Sequence, residues 1–139
     1  MECQLIIGNR RIKKNKQAII NYVGNHLLEN RRVLITGGDS GIGRAAAIAY
    51  AREGADVAIG YLPSEEADAQ DVIALIEKAG VRALALAGDI REEGWNATMV
   101  SRAVEAFGGL DILVVNAGHQ QYRDDVSQVS TADFDATMK

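Results

Sequence analysis

One cysteine, one proline, one tryptophan and two phenylalanines stand among the 139 residues. A single thiol, Cys3, excludes a disulfide within the chain and a thiolate metal site, so no metal is expected. A reducing, cytoplasmic setting is the default for such a composition. With Pro63 the sole proline, proline-rich linkers are excluded. No apolar run reaches the roughly 18 residues that span a bilayer, and no membrane partner is expected. Net charge is only −4, but it is unevenly spread. Residues 1–32 hold seven Lys/Arg against two acids, a surplus of +5; the other 107 residues hold eight against seventeen, or −9. An acidic body argues against nucleic acid as the partner.

What is present suits one domain with a sizeable core, since 47% of residues are apolar. Residues 1–31 read as a basic N-terminal extension. It lacks the apolar stretch of a secretory signal and the serines of a transit peptide. It is expected to end in a short amphipathic helix, because Ile19, Ile20, Val23 and Leu27 fit helical spacing.

From residue 32 the pattern is regular. "RVLIT" (32–36) is a buried strand and "GIGRAAAIAYAREGA" (41–55) a helix stopped by Gly54. "DVAIGY" (56–61) is the second strand. The second helix covers 64–79, with Glu65 and Glu66 in its first turn and an apolar face of Val72, Leu75, Ile76 and Ala79. A third strand lies within 81–90 and a third helix over 92–107, closed by Gly108 and Gly109. "LDILVVNAG" (110–118) is a fourth strand running into a turn. A last helix begins near 130, capped by Ser130 or Thr131. Strands and helices alternating at this spacing mean βαβ units and a parallel sheet covered on both faces, an α/β fold.

"TGGDSGIGR" (36–44) sits at the first strand-to-helix crossover, where a dinucleotide-binding turn belongs. Gly37 permits the tight turn, Gly41 a close approach of backbone to a pyrophosphate, and Gly43 close packing of helix on strand. The helix then aims unpaired N–H groups at phosphate. Asp39 and Ser40 can order the loop through side-chain bonds to the backbone. No Lys-Ser/Thr pair follows, which excludes a P-loop.

With "GDI" (88–90) and "NAG" (116–118) in their places, residues 32–139 resemble the short-chain dehydrogenase/reductase family. Residues 36–72 more narrowly resemble bacterial NADP-dependent aldehyde reductases and general short-chain oxidoreductases. The resemblance implies a Rossmann-type doubly wound parallel sheet, truncated to about four strands in the order 3-2-1-4, as a partial dinucleotide-binding domain. It implies that Asp89 receives the adenine amine and Ile90 packs on the ring. Asn116, Ala117 and Gly118 would line the nicotinamide-side ribose, although Asn116 could equally just bridge strands. With Gly37, Asp39, Ser40, Gly41, Ile42, Gly43 and Tyr61 these form the expected cofactor site.

The second strand ends in Gly60, Tyr61 and Leu62 without the acid that an NAD enzyme places on the ribose 2′-hydroxyl, which favours NADP over NAD. Arg44 is either a cationic partner for a 2′-phosphate or an exposed helix residue. Tyr61 either flanks the adenine or caps the strand. His119 reads as a loop residue and Trp95 as packing.

The family's chemistry is hydride transfer at a carbonyl or alcohol carbon, with a Tyr as proton donor and a Lys four residues on that lowers its pKa. Here Tyr22, Tyr50, Tyr61 and Tyr122 are followed at that spacing by His26, Gly54, Glu65 and Val126. No catalytic residue is therefore assigned. The expectation is the cofactor-binding half of an oxidoreductase, the fragment of a disrupted gene, inactive alone; a small carbonyl substrate belongs to a full-length relative. A non-catalytic nucleotide-binding or interaction module is the alternative. The bare edge of the fourth strand is expected to invite pairing with a second copy.

Overall fold

The computed structural model describes residues 22–119 and 122–138, together with a two-residue antiparallel ladder in which Ile6–Ile7 pairs Arg10–Arg11. The rest of the basic leader, with Cys3, Ile19 and Ile20, lies outside the described residues. Over 22–30 the expected helix does not form. Val23 and Leu27 are 82% and 74% exposed, and the chain turns through His26 and Asn30, both at positive φ. The segment is held at the end of the first helix, where Arg52 donates to the Tyr22 carbonyl at 2.8 Å. Glu53, buried at the end of the first helix, accepts hydrogen bonds from the Tyr22 hydroxyl and from the N–H groups of Asn25 and Leu27. Those bonds to its charged form, the Tyr22 hydroxyl first, hold its carboxyl below the ordinary value.

Four parallel strands make the main sheet: β1 Arg32–Thr36, β2 Asp56–Tyr61, β3 Ala83–Ala87 and β4 Ile112–Val114, in the spatial order β3-β2-β1-β4. Alternation along the strands divides the core. Val33, Ile35, Val57, Ile59 and Tyr61 point to one face, under α1 (Gly41–Arg52) and α2 (Glu66–Lys78). Leu34, Ala58 and Leu86 point to the other, under Met99, Ala103 and Phe107 of α3 (Glu93–Phe107). Each large side chain removed from water this way contributes roughly 1.5–3 kcal/mol before its ordering cost. The layers are those of a doubly wound Rossmann-type sheet.

Two boundaries differ from expectation. The second helix opens with a 3-10 turn, Pro63–Glu65, and buries Ala69, Val72 and Ile76, while Ala79 is exposed. The fourth strand, expected within 110–118 ahead of a turn, has only three residues. It ends where the Thr36 hydroxyl takes the N–H groups of Asn116 (3.0 Å) and Ala117 (3.1 Å), which no longer serve the ladder. A last helix, α4 Thr131–Met138, buries no residue. Ser130 caps it reciprocally: the Asp133 N–H donates to Ser130 Oγ, and the Ser130 N–H to Asp133 Oδ2.

At the strand starts, opposite the glycine turn, two ion pairs tie neighbours together. Arg32 grips Asp111 through its Nε (2.8 Å) and Nη2 (3.0 Å), and Arg82 grips Asp56 through Nη2 at 2.6 Å. Arg82 also lies 5.0 Å over the Phe107 ring.

Candidate functional site

The residues singled out from the sequence gather at the C-terminal ends of β1, β2, β3 and β4. The turn leaving β1 is pinned to β2, because the N–H groups of Gly37 and Gly38 donate to the Gly60 carbonyl at 2.8 and 3.2 Å. Gly37 and Gly41 are left-handed, with φ of 64° and 53°. At Gly43 a Cβ would stand 2.0 Å from the Gly37 carbonyl oxygen, so only glycine lets α1 start against the turn. At Gly41 the opposite holds: nothing lies within 4 Å of where its Cβ would be. Ser40 is the N-cap in extended conformation, its side chain makes no capping bond, and the first turn of α1 has no acid. The N–H groups there are thus uncapped and uncompensated beside open space, with Ile42 81% exposed. Arg44 is half-buried just inside the helix.

The β4 end closes the turn from the other side. The Asn116 side-chain amide donates to the carbonyls of Thr36 and Gly37, both at 3.1 Å. Its amide nitrogen is therefore committed to bridging β4 and the glycine turn. Ala117 is half-buried and Gly118 exposed beside it. His119 is exposed, Tyr122 is 84% exposed, and Gln120 and Gln121 lie outside the described residues.

At the β2 end Tyr61 is only 5% exposed and belongs to the core beneath α2. Its hydroxyl donates to Glu66 Oε2 at 2.8 Å. Burial first, and that carboxylate second, push its pKa up to about 12. This placement fits the strand-capping role and leaves little ring to flank an adenine. Asp39 is buried, with the Glu65 carboxyl beside it. The Asp39 carboxyl first, then desolvation, raises the Glu65 carboxyl above its ordinary value.

At the β3 end the Asp89–Ile90 turn is held by its own successors. The Asn96 side chain donates to the Ile90 carbonyl at 2.7 Å, and the Glu92 N–H to the Asp89 carbonyl at 3.1 Å. Trp95 covers Gly88, where a Cβ would fall 2.1 Å from the indole ring. Ile90 packs with Trp95 at the edge of the α3 core. Arg91 pairs with Asp89 and lowers its carboxyl pKa.

Sequence reasoning passed over Thr36, Arg91 and Asn96, and read Glu65 only as a helix-start residue. Thr36 and Asn96 carried signals, a hydroxyl at a strand end and an amide early in a helix; the partners of Thr36 lie 80 residues on, that of Asn96 six residues back. Among the described residues no group of three or more His, Cys, Asp or Glu could hold a metal ion, and no helix is long and apolar enough to cross a membrane.

Comparison with known proteins agrees with the fold. The family described as short chain dehydrogenase matches residues 31–139. An uncharacterized oxidoreductase of Escherichia coli K12, YghA, is 53% identical over 117 residues, which is 84% of this chain and 40% of the relative. An L-rhamnose 1-dehydrogenase (NAD(P)(+)) of Sphingomonas sp. SKA58 is 50% identical over 92 residues, 66% of this chain and 36% of the relative. A crystal structure of a short chain dehydrogenase from Burkholderia cenocepacia J2315 in complex with NADP superposes with a TM-score of 0.72 at 47% identity, over 80% of this chain and 44% of that one. The chain thus spans about 40% of the length of the curated relatives it matches.

Proposed function

The chain belongs to the short-chain dehydrogenase family, and on that premise we propose that it is the cofactor-binding part of an NADP(H)-dependent oxidoreductase acting on a carbonyl or alcohol carbon. The observation that carries the reading is the first turn of α1: uncapped, free of acids, and open at Gly41. A pyrophosphate fits such a turn, because its charge completes the N–H groups and the helix dipole that no side chain satisfies.

The roles follow from position. Gly37, Gly41 and Gly43 shape the turn, and Ser40 and Ile42 border it. Asp89 and Ile90 take the adenine. Ala117 and Gly118 border the nicotinamide-side ribose, while Asn116 holds the turn against β4 through its amide. The nicotinamide, when bound, gives or accepts the hydride. The 139 residues contain no Tyr with a Lys four positions on, so this chain by itself orients a cofactor and supplies no tuned proton donor.

NADP is favoured over NAD by the lack of an acid at Gly60, Tyr61 and Leu62, and by the NADP held in the Burkholderia structure. One observation favours NAD instead. Glu65 and Asp39 bring two carboxyl groups to the glycine turn at the β2 end, and negative charge there repels a 2′-phosphate.

Titration of the purified chain with NADPH and NADH, followed by nucleotide fluorescence, tests all of this. Saturable binding, tighter for NADPH, with no carbonyl reduction is the expected result. Glu65→Gln should shift the preference further toward NADPH. Failure of both nucleotides to bind ends the proposal.

A further inference from the structure

The carboxylate assigned to adenine is already engaged on both oxygens. A carboxylate offers about four lone-pair positions. At Asp89, Oδ1 receives the Arg91 backbone N–H at 2.9 Å and Arg91 Nε at 3.0 Å. Oδ2 receives Nε at 3.0 Å and Nη2 at 2.5 Å. All four contacts come from one residue two positions on; the Nε–H is shared between the two oxygens, so three N–H groups make them, two belonging to the guanidinium. The turn beneath cannot easily move to offer another face, since Asn96 holds the Ile90 carbonyl and the Glu92 N–H holds that of Asp89. The side that can move is the cation, because the Arg91 side chain is 51% exposed against 26% for Asp89.

We propose that Arg91 is a specificity-determining residue for adenine: its guanidinium closes the Asp89 carboxylate, and an incoming adenine amine must displace it to be read. This rests on the reading of Asp89 as the adenine residue. The backbone N–H of Arg91 stays on Oδ1 in the open form, so the carboxylate keeps its orientation. The acceptor positions released by the two guanidinium N–H groups are then available to the amine. The closed pair lowers apparent affinity by the fraction of molecules that are open. A purine with a carbonyl in place of the amine gains nothing from opening the pair. It finds a carboxylate where it needs a donor. The pair therefore shrinks the difference between the two purines.

The experiment compares NADPH with its hypoxanthine counterpart, in the parent chain, Arg91→Gln, Asp89→Asn and the double variant. The ratio of the two dissociation constants is the readout. Loss of a positive charge near a polyanion weakens both nucleotides alike, so that contribution cancels in the ratio. Arg91→Gln should raise the preference for adenine by about two- to five-fold, the range expected from opening an exposed ion pair. Asp89→Asn should remove most of the preference, and Arg91→Gln should then add nothing to it. An unchanged or reduced ratio in Arg91→Gln overturns the proposal, as does an equal gain in the Asp89→Asn background. If the parent chain binds neither nucleotide, the cofactor site itself has been misassigned, which is a different failure.

Discussion

Gly43 shows how one absent methyl group can set a site. Its missing Cβ would meet a backbone carbonyl at 2.0 Å and the Asn116 amide at 2.6 Å, neither of which is the free end of a flexible chain. Gly43→Ala should cost about 1–3 kcal/mol in urea unfolding, the usual penalty of overpacking, and should weaken NADPH binding with it. Gly94 is the control. It lies in α3, has nothing within 4 Å of its Cβ position, and is not at positive φ. Gly94→Ala should stabilise by about 0.4–1 kcal/mol through lower entropy of the unfolded chain. Equal effects at both positions would refute the steric account. The turn at Gly37 and the close packing at Gly43 were legible because spacing and flanking elements name the turn. Tyr61 was not, since an aromatic at a strand end can face either side. Its burial against α2 was decided by the alternation set further back at Val57 and Ile59.

Elements were read more reliably than their ends. β1 and β2 match expectation because their apolar runs are bounded by charge and by glycine within a few residues. β4 falls short because a hydroxyl 80 residues earlier in the chain, on Thr36, claims the N–H that would extend it. The strand-start ion pairs were equally hidden, as Arg32 and Asp111 lie 79 residues apart. They make an acid-sensitive joint between β1 and β4. Hydrogen bonds from Arg32 hold the Asp111 carboxyl at about 2, below its ordinary 3.8. A depressed carboxyl stabilises the fold above its unfolded value and loses that contribution as pH falls toward the folded one. The joint should therefore weaken between about pH 4 and pH 2. Urea midpoints of the parent and Asp111→Asn should differ at pH 5 and converge toward pH 2. A constant gap across that range would show that the ion pair is not responsible.

For the whole molecule the decisive feature is the open side of β4. Leu113 is 51% and Val115 77% exposed, and Phe134 and Met138 of α4 are 57% and 70% exposed. An uncovered apolar edge pairs with whatever strand is offered, a second copy included. Val115→Lys should reduce concentration-dependent association in sedimentation velocity. Unfolding should stay within about 0.5 kcal/mol of the parent, because a substitution at an exposed site costs little. Association that persists in the variant would place the contact on another surface.

Local order was written in the chain. Apolar period, glycine stops and the turn at 36–44 are each set by residues within a few positions of one another, and they suffice for a parallel α/β sheet with a glycine-rich crossover. Contacts across the sheet were not. The grip of Glu53 on residues 22–27, the Asp39–Glu65 carboxyl pair and the Asn116 bridge join residues 26 to 80 apart. No short-range pattern encodes such partners, because closing the loops between them depends on the strands having already stacked in register. Arg91 on Asp89 is the instructive exception: two residues apart, yet meaningful only once the fold had brought that carboxylate to the mouth of the site.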